Sequence, residues 1–219
     1  MIAAVCEPRS KSYWASSSVR VAPSRNAAIC VATSVAAWPP SVRVWIVTGG
    51  FIERLAAAEI GTTYNFYRHG PRAALLRARL ERYLDEHGAA RMLVVAEAPG
   101  YRGTRVSGIP LTSERQLTGE GPAEATATVV HRVLAELGCD GEVLLWNTVP
   151  THPGDAGSNR RPTRAEVAAG LPFARELARG RRVVAVGRVA HEAFGGAYVR
   201  HPSHGGATAF RRGLESVFA

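Results

Sequence analysis

The stretch Met92-Leu93-Val94-Val95-Ala96-Glu97-Ala98-Pro99-Gly100 decides the fold. Five apolar residues followed by a carboxylate and a Pro-Gly turn read as a strand buried on both faces, the mark of a parallel sheet covered by helices. Working outward, further apolar runs at 142–146, 182–186 and 197–200 repeat the pattern. Between and after them lie helical patterns at 121–138, 164–179, 188–194 and 206–217. Upstream, 52–60 reads as a short helix and 62–67 as a polar-aromatic loop. Residues 71–87 form an arginine-rich amphipathic helix with Leu75, Leu76, Leu80 and Leu84 on one apolar face and Arg72, Arg77, Arg79 and Arg82 on a solvated one. Thr163 with Glu166 three residues on forms a capping box for the 164–179 helix. The alternation of strand and helix at this spacing predicts an α/β fold: a single three-layer domain with a four-stranded, mainly parallel sheet and helices on both faces.

Composition narrows the chemistry. The chain has 219 residues and a formal charge of +9, of which residues 1–45 carry +4. A mild basic bias suits a polyanionic partner without requiring one. Lys11 is the only lysine, so beyond it there is no side-chain amine to form a Schiff base and no P-loop lysine. Cys6, Cys30 and Cys139 are widely spaced, with no CxxC pair, which argues against a disulfide framework, a zinc knuckle or an iron–sulfur cluster and fits a reducing cytoplasm. No apolar run is long enough to cross a membrane. Residues 1–46 are set apart by their serine and tryptophan content and lack of periodicity. They admit three readings: a targeting segment, a disordered arm, or an extension upstream of a true start near Val47. We take 1–46 as a disordered or misassigned extension and 47–219 as the working domain.

Each strand delivers chemistry to one edge, because the carboxyl ends of parallel strands are where ligands bind. Glu97 follows the first strand and could orient or deprotonate a water. The Ala98-Pro99-Gly100 turn after it could present backbone N–H groups. Asn147 ends the second strand with two donors and an acceptor in one plane, suited to a base edge, although asparagine there is also a common turn former. His201 follows the last strand and could donate to a developing oxyanion. Ser203 and the glycines beyond it could grip phosphate, while His131, His152, His191 and His204 read as surface or supporting residues.

Four strings in this order, Ala96-Glu97-Ala98-Pro99-Gly100, Asn147, Asn159-Arg160-Arg161-Pro162-Thr163 and His201-Pro202-Ser203, together with Gly187-Arg188-Val189-Ala190, resemble the uracil-DNA glycosylase superfamily over about residues 91–218. The likeness is greatest to its thermostable bacterial branch. Each motif alone is weak; four at similar spacing are specific. The resemblance implies an enzyme of base excision repair that hydrolyses the N-glycosidic bond of uracil in DNA, acting as a monomer in the cytoplasm (the bacterial nucleoid); the lack of lysine beyond Lys11 makes it monofunctional, and the missing cluster cysteines leave it with no cofactor. It implies Glu97 and His201 as catalytic residues, and Ala98, Pro99, Gly100, Tyr101, Leu111, Asn147 and Ser203 as substrate-binding ones. Arg161, His204, Gly205 and Gly206 would meet DNA phosphates or form the wedge.

The chain departs from the branch pattern at several points. One of the branch's four cluster cysteines falls at Thr151 and the upstream pair is missing, which predicts no iron–sulfur cluster. The ring that stacks on uracil falls at Leu111, leaving stacking to Tyr101 or to aliphatic packing. The acidic residues that often trail the Pro-Gly are replaced by Tyr101-Arg102-Gly103. The glycines at 205 and 206 make a weak wedge, favouring single-stranded or mismatched uracil. The rival expectation is a non-catalytic or covalently trapping module of the same fold.

Overall fold

Strand β1 (Met92–Ala96) is buried at all five positions, as is β2 (Val143–Asn147), so both faces of the sheet are covered. The computed structural model describes residues 48–219; the expectations for 1–46 lie outside the described residues. With β3 (Arg182–Val186) and β4 (Ala197–Val199), the strands form one sheet in the order β2-β1-β3-β4. All three pairings are parallel, a simpler sheet than the mainly parallel one expected.

The chain leaves β1 towards β2, then crosses back over β1 to β3 and continues outward to β4. Its helices are α1 (Thr48–Ala57), α2 (Ala73–Glu86), α3 (Thr104–Ser107), α4 (Glu114–Thr118), α5 (Ala125–Leu137), α6 (Arg164–Ala178), α7 (Arg188–Phe194) and α8 (Ala207–Phe218). Right-handed crossovers put α5 on one face and α6 and α7 on the other. In keeping with this, α6 and α7 both pack on β1, and α5 meets α8.

Register then sets the site. Ala96 pairs with Asn147 and Val186 with Val199, so Glu97, Asn147, Gly187 and His201 all emerge at one edge. The direction of strand addition reverses between β1 and β3, which makes the crevice beyond their ends the natural ligand position.

Several local features differ from the sequence expectations. Helix α1 ends at Ala57, short of residue 60, because the buried Asn65 amide donates to the carbonyls of Leu55, Ala56 and Ala58 at 2.8, 3.3 and 3.1 Å and so takes up the orphan acceptors of its last turn. Leu75 is 46% exposed; the buried stripe of α2 is Leu76, Leu80, Tyr83 and Leu84. The arginines expected on a solvated face are also not simply solvated, since Arg72, just ahead of α2, and Arg79 within it both pair with Glu114 at 2.8 Å. Helix α5 starts at Ala125 rather than 121, because Gly121 has a φ of +81° and Glu124 is extended. The capping box stands as read: Glu166 N–H donates to Thr163 Oγ1 at 3.2 Å and Thr163 N–H to Glu166 Oε2 at 2.8 Å. Among the described residues no helix is long and apolar enough to cross a membrane.

Candidate active site

The strand ends open into a cavity of about 540 Å³ whose wall includes Glu97, Ala98, Pro99, Gly100, Leu111, Asn147, Arg161, His201, Ser203 and His204. Ten of the thirteen residues expected at the site are therefore together. Tyr101, Gly205 and Gly206 are not in that wall. Tyr101 gives its backbone N–H to Asn159 Oδ1 at 2.9 Å, and its ring lies 5.4 Å from the Arg102 guanidinium. The Gly206 N–H is already spent on Ser203 O at 3.0 Å. A Cβ at Gly206 would collide with the His201 carbonyl oxygen, so this glycine lets the turn close.

Asn147 is 2% exposed, and neither its Oδ1 nor its Nδ2 has a hydrogen-bond partner. An unpartnered buried amide is uncommon, because each such group left unmatched costs about 1–3 kcal/mol. Here the two unmatched atoms belong to one planar carboxamide in the wall of a cavity. A carboxamide so placed offers one acceptor and two donors in a plane to a group brought into the cavity.

His201 is oriented through its own loop. Ser203 N–H donates to His201 Nδ1 at 3.2 Å, and Ser203 Oγ lies 2.7 Å from the same nitrogen. Nδ1 is thus the acceptor and Nε2 carries the proton of the neutral ring, an assignment made from the hydrogen bonds. His204 Nδ1 lies 3.1 Å from the same hydroxyl, completing a chain of three side chains. Burial, then the nearby His204 and Arg200, hold the His201 pKa below its usual value, which favours the neutral donor. Two non-glycine residues among those described have positive φ, Leu111 at +53° and His204 at +52°, and both line this cavity. Backbone strain of this kind costs on the order of 1 kcal/mol and collects at working sites.

The 97–100 turn is held from behind by His152, which is fully buried and takes the supporting one of its two expected places. Its Nδ1 meets Pro99 O at 2.8 Å, and its Nε2 meets Asp155 O at 2.9 Å and Ser158 O at 3.1 Å. One ring therefore ties the 97–100 turn to the 149–163 loop. Burial raises the Glu97 pKa while the charge of Arg161 opposes the shift, leaving a carboxyl group more basic than usual. Arg160, adjacent to Arg161, has a different task. It clasps Glu166 and reaches Thr62 Oγ1 at 2.9 Å, and this pairing holds the Glu166 pKa down to about 2.

Cys139 is the only cysteine among the described residues, and none of them form a group of three or more metal-ligating side chains. At the branch's cysteine position, the buried Thr151 Oγ1 is 2.5 Å from Thr63 Oγ1. Main-chain bonds between Tyr64 and His152 at 2.9 and 3.0 Å join the same two segments.

Thr104, Glu124, Thr126 and Pro153 also stand in the wall and escaped the sequence reading. Glu124 lines the cavity, its pKa raised by burial. Reading the helix from 121 placed Glu124 inside it, where a glutamate carries no signal.

The model of the uracil DNA glycosylase superfamily matches residues 83–217. Among solved structures, wild-type SMUG2 of Pedobacter heparinus is similar in fold, with a TM-score of 0.57 and 12% identity over 78% of this chain and 96% of that one. No curated protein matches the chain. The family match spans well over half of the sequence and takes in every strand and every cavity residue named above, and on that basis the chain belongs to the uracil-DNA glycosylase superfamily.

Proposed function

We propose that the protein is a monofunctional DNA glycosylase that hydrolyses the N-glycosidic bond of uracil in DNA and leaves an intact abasic strand. The observation that carries this reading is the buried Asn147 carboxamide with both polar atoms free in the cavity wall. Uracil presents N3–H and O4 side by side. Asn147 Oδ1 accepts from the first and Nδ2 donates to the second. Cytosine has the opposite polarity at both atoms, and burying two mismatched pairs supports discrimination of about 10⁴ or more. The target base leaves the stack at a cost of a few kcal/mol, least in single-stranded or mismatched DNA. Leu111, buried in the wall, packs on the base face with aliphatic carbons.

As N1–C1′ breaks, its electron pair leaves with the base and the sugar gains oxocarbenium character. The neutral His201 ring donates from Nε2 to uracil O2, where the negative charge collects; a donor of this kind is worth roughly 10²–10³ in rate. Glu97 holds a water on the other side of the sugar. The water oxygen bonds to C1′, its proton passes to Glu97, and the departing base takes up a proton from solvent. The position of Lys11, the sole lysine, outside the 47–219 domain supports water rather than an amine as nucleophile.

The test is incubation of the full chain with single- and double-stranded oligonucleotides carrying one uracil, followed by alkali. Strand cleavage at the uracil, abolished in His201→Ala and Asn147→Asp, supports the reading. A heat-stable protein–DNA adduct, or binding with no base release, refutes it in favour of a trapping or a purely binding role.

A further inference from the structure

Glu124 stands just ahead of α5 in extended backbone, φ −118° and ψ 127°. Its carboxylate straddles two glycines of the loop that follows β1. A Cβ added at Gly100 would collide with Oε1, and one at Gly103 with Oε2. Neither glycine has positive φ; Gly103 still sits in backbone that side chains avoid, φ −100° and ψ −119°, so it is at Gly100 that room for the carboxylate, rather than a left-handed turn, calls for glycine. Among the described residues nothing donates a hydrogen bond to this carboxylate and no cation pairs with it, whereas Glu97 at least has Arg161 nearby.

A partly buried anion with no cation carries a desolvation cost with no return in the free protein. Such an arrangement is favourable only when positive charge appears beside it. The reaction proposed above creates that charge once per turnover, on the sugar, in the transition state alone. Interactions present only in the transition state are the ones that raise the rate.

We propose that Glu124 is a second catalytic carboxylate, which stabilises the sugar cation by its charge while Glu97 takes the proton of the attacking water. The inference rests on the glycosylase reading. Glu124 exchanges no proton: the bond from N1 to C1′ breaks, the bond from water oxygen to C1′ forms, and Glu124 remains an anion throughout. Gly100 and Gly103 serve the same end by admitting the carboxylate to the wall.

The experiment measures binding of two single-stranded oligonucleotides, one with a cationic pyrrolidine in place of the target sugar and one with a neutral tetrahydrofuran. Wild type is expected to prefer the cation. In Glu124→Gln, affinity for the cation falls by about 10–100-fold while affinity for the neutral analogue changes less than about twofold. With a uracil substrate, kcat falls by about 10²-fold at nearly constant KM. Gly100→Ala, which expels the carboxylate, reproduces both losses, and in a Glu124→Ala background it adds less than about threefold, because both changes remove the same interaction.

Equal cation preference in wild type and Glu124→Gln, or additive losses in the double variant, overturns the assignment of Glu124. Absence of uracil release by wild type instead removes the reading beneath it. The binding arm needs no turnover, so the two failures are separable.

Discussion

Replacing Asn147 with leucine should make the protein more stable and catalytically dead at once. Leucine keeps the branched outline of the carboxamide but carries no polar atom. In the free protein both amide atoms are buried without partners, and each such group costs about 1–3 kcal/mol. Taking the lower value for only one of the two gives a gain of about 1 kcal/mol; counting both gives about 2 kcal/mol or more. Leucine has the same number of side-chain heavy atoms as asparagine, which limits overpacking around the enclosed tip. For a domain of this size, 1 kcal/mol corresponds to roughly 2–4 °C in Tm, so an upward shift of about 2–8 °C is expected. Uracil release should fall by at least about 10³, because N3–H and O4 of the base would be buried against apolar atoms. The assay is paired: thermal and urea melts, with the m-value checking that the unfolding transition is unchanged in kind, beside base release from a uracil oligonucleotide. A Tm lower than wild type by 2 °C or more would mean the carboxamide is satisfied within the folded protein. The argument from unpaired atoms would then be wrong, whatever the activity.

Three further outcomes follow from the same geometry. His201→Ala should lower the release rate by roughly 10²–10³ with substrate binding little changed, and Ser203→Ala by about tenfold, since it removes the hydroxyl from Nδ1 and leaves the backbone N–H alone to hold the tautomer; single-turnover kinetics separate the two. The rate should be flat through neutral pH and fall on acidification. Glu97 loses its basic form as pH falls through a pKa above its ordinary 4.5, and His201 charges only below its ordinary 6.5. Arg161→Gln removes a charge that lowers the Glu97 pKa, so the acid limb of the profile should move to higher pH. Finally, Glu166 has a folded pKa of about 2 against an ordinary 4.5. Its contribution to stability is fully present above the unfolded value and is lost as pH falls from there toward about 2. Glu166→Gln should cost about 2–3 kcal/mol at pH 7, allowing for the partly exposed Arg160 guanidinium, and nearly nothing at the acid end; urea melts at both pH values decide it.

The strands were legible because burial on both faces leaves no room for polar residues, so each appears as an unbroken apolar run such as Met92–Ala96. The start of α6 was legible because its cap is made by residues three apart. What stayed hidden depends on contacts distant in sequence. The end of α1 is set by Asn65, several residues further on. Helices α3 and α4 span four and five residues, too short for a period to show. At the site, Glu97, Asn147 and His201 could be found because each ends a strand or follows one within two residues. Glu124 could not, because its place is defined by two glycines on another loop. The same limit applies to His152, whose three carbonyl partners come from two segments, and to Gly206, whose N–H is used within its own turn rather than left for a phosphate.

The selectivity between uracil and cytosine, measured as the ratio of kcat/KM in one oligonucleotide context, tests the central claim most directly. A fixed, buried carboxamide at 147 predicts a ratio of about 10⁴ or more, collapsing with the loss of uracil release in Asn147→Leu. Release of cytosine within about a hundredfold of uracil, or an unchanged ratio in the variant, would show that the base is chosen by something other than this side chain.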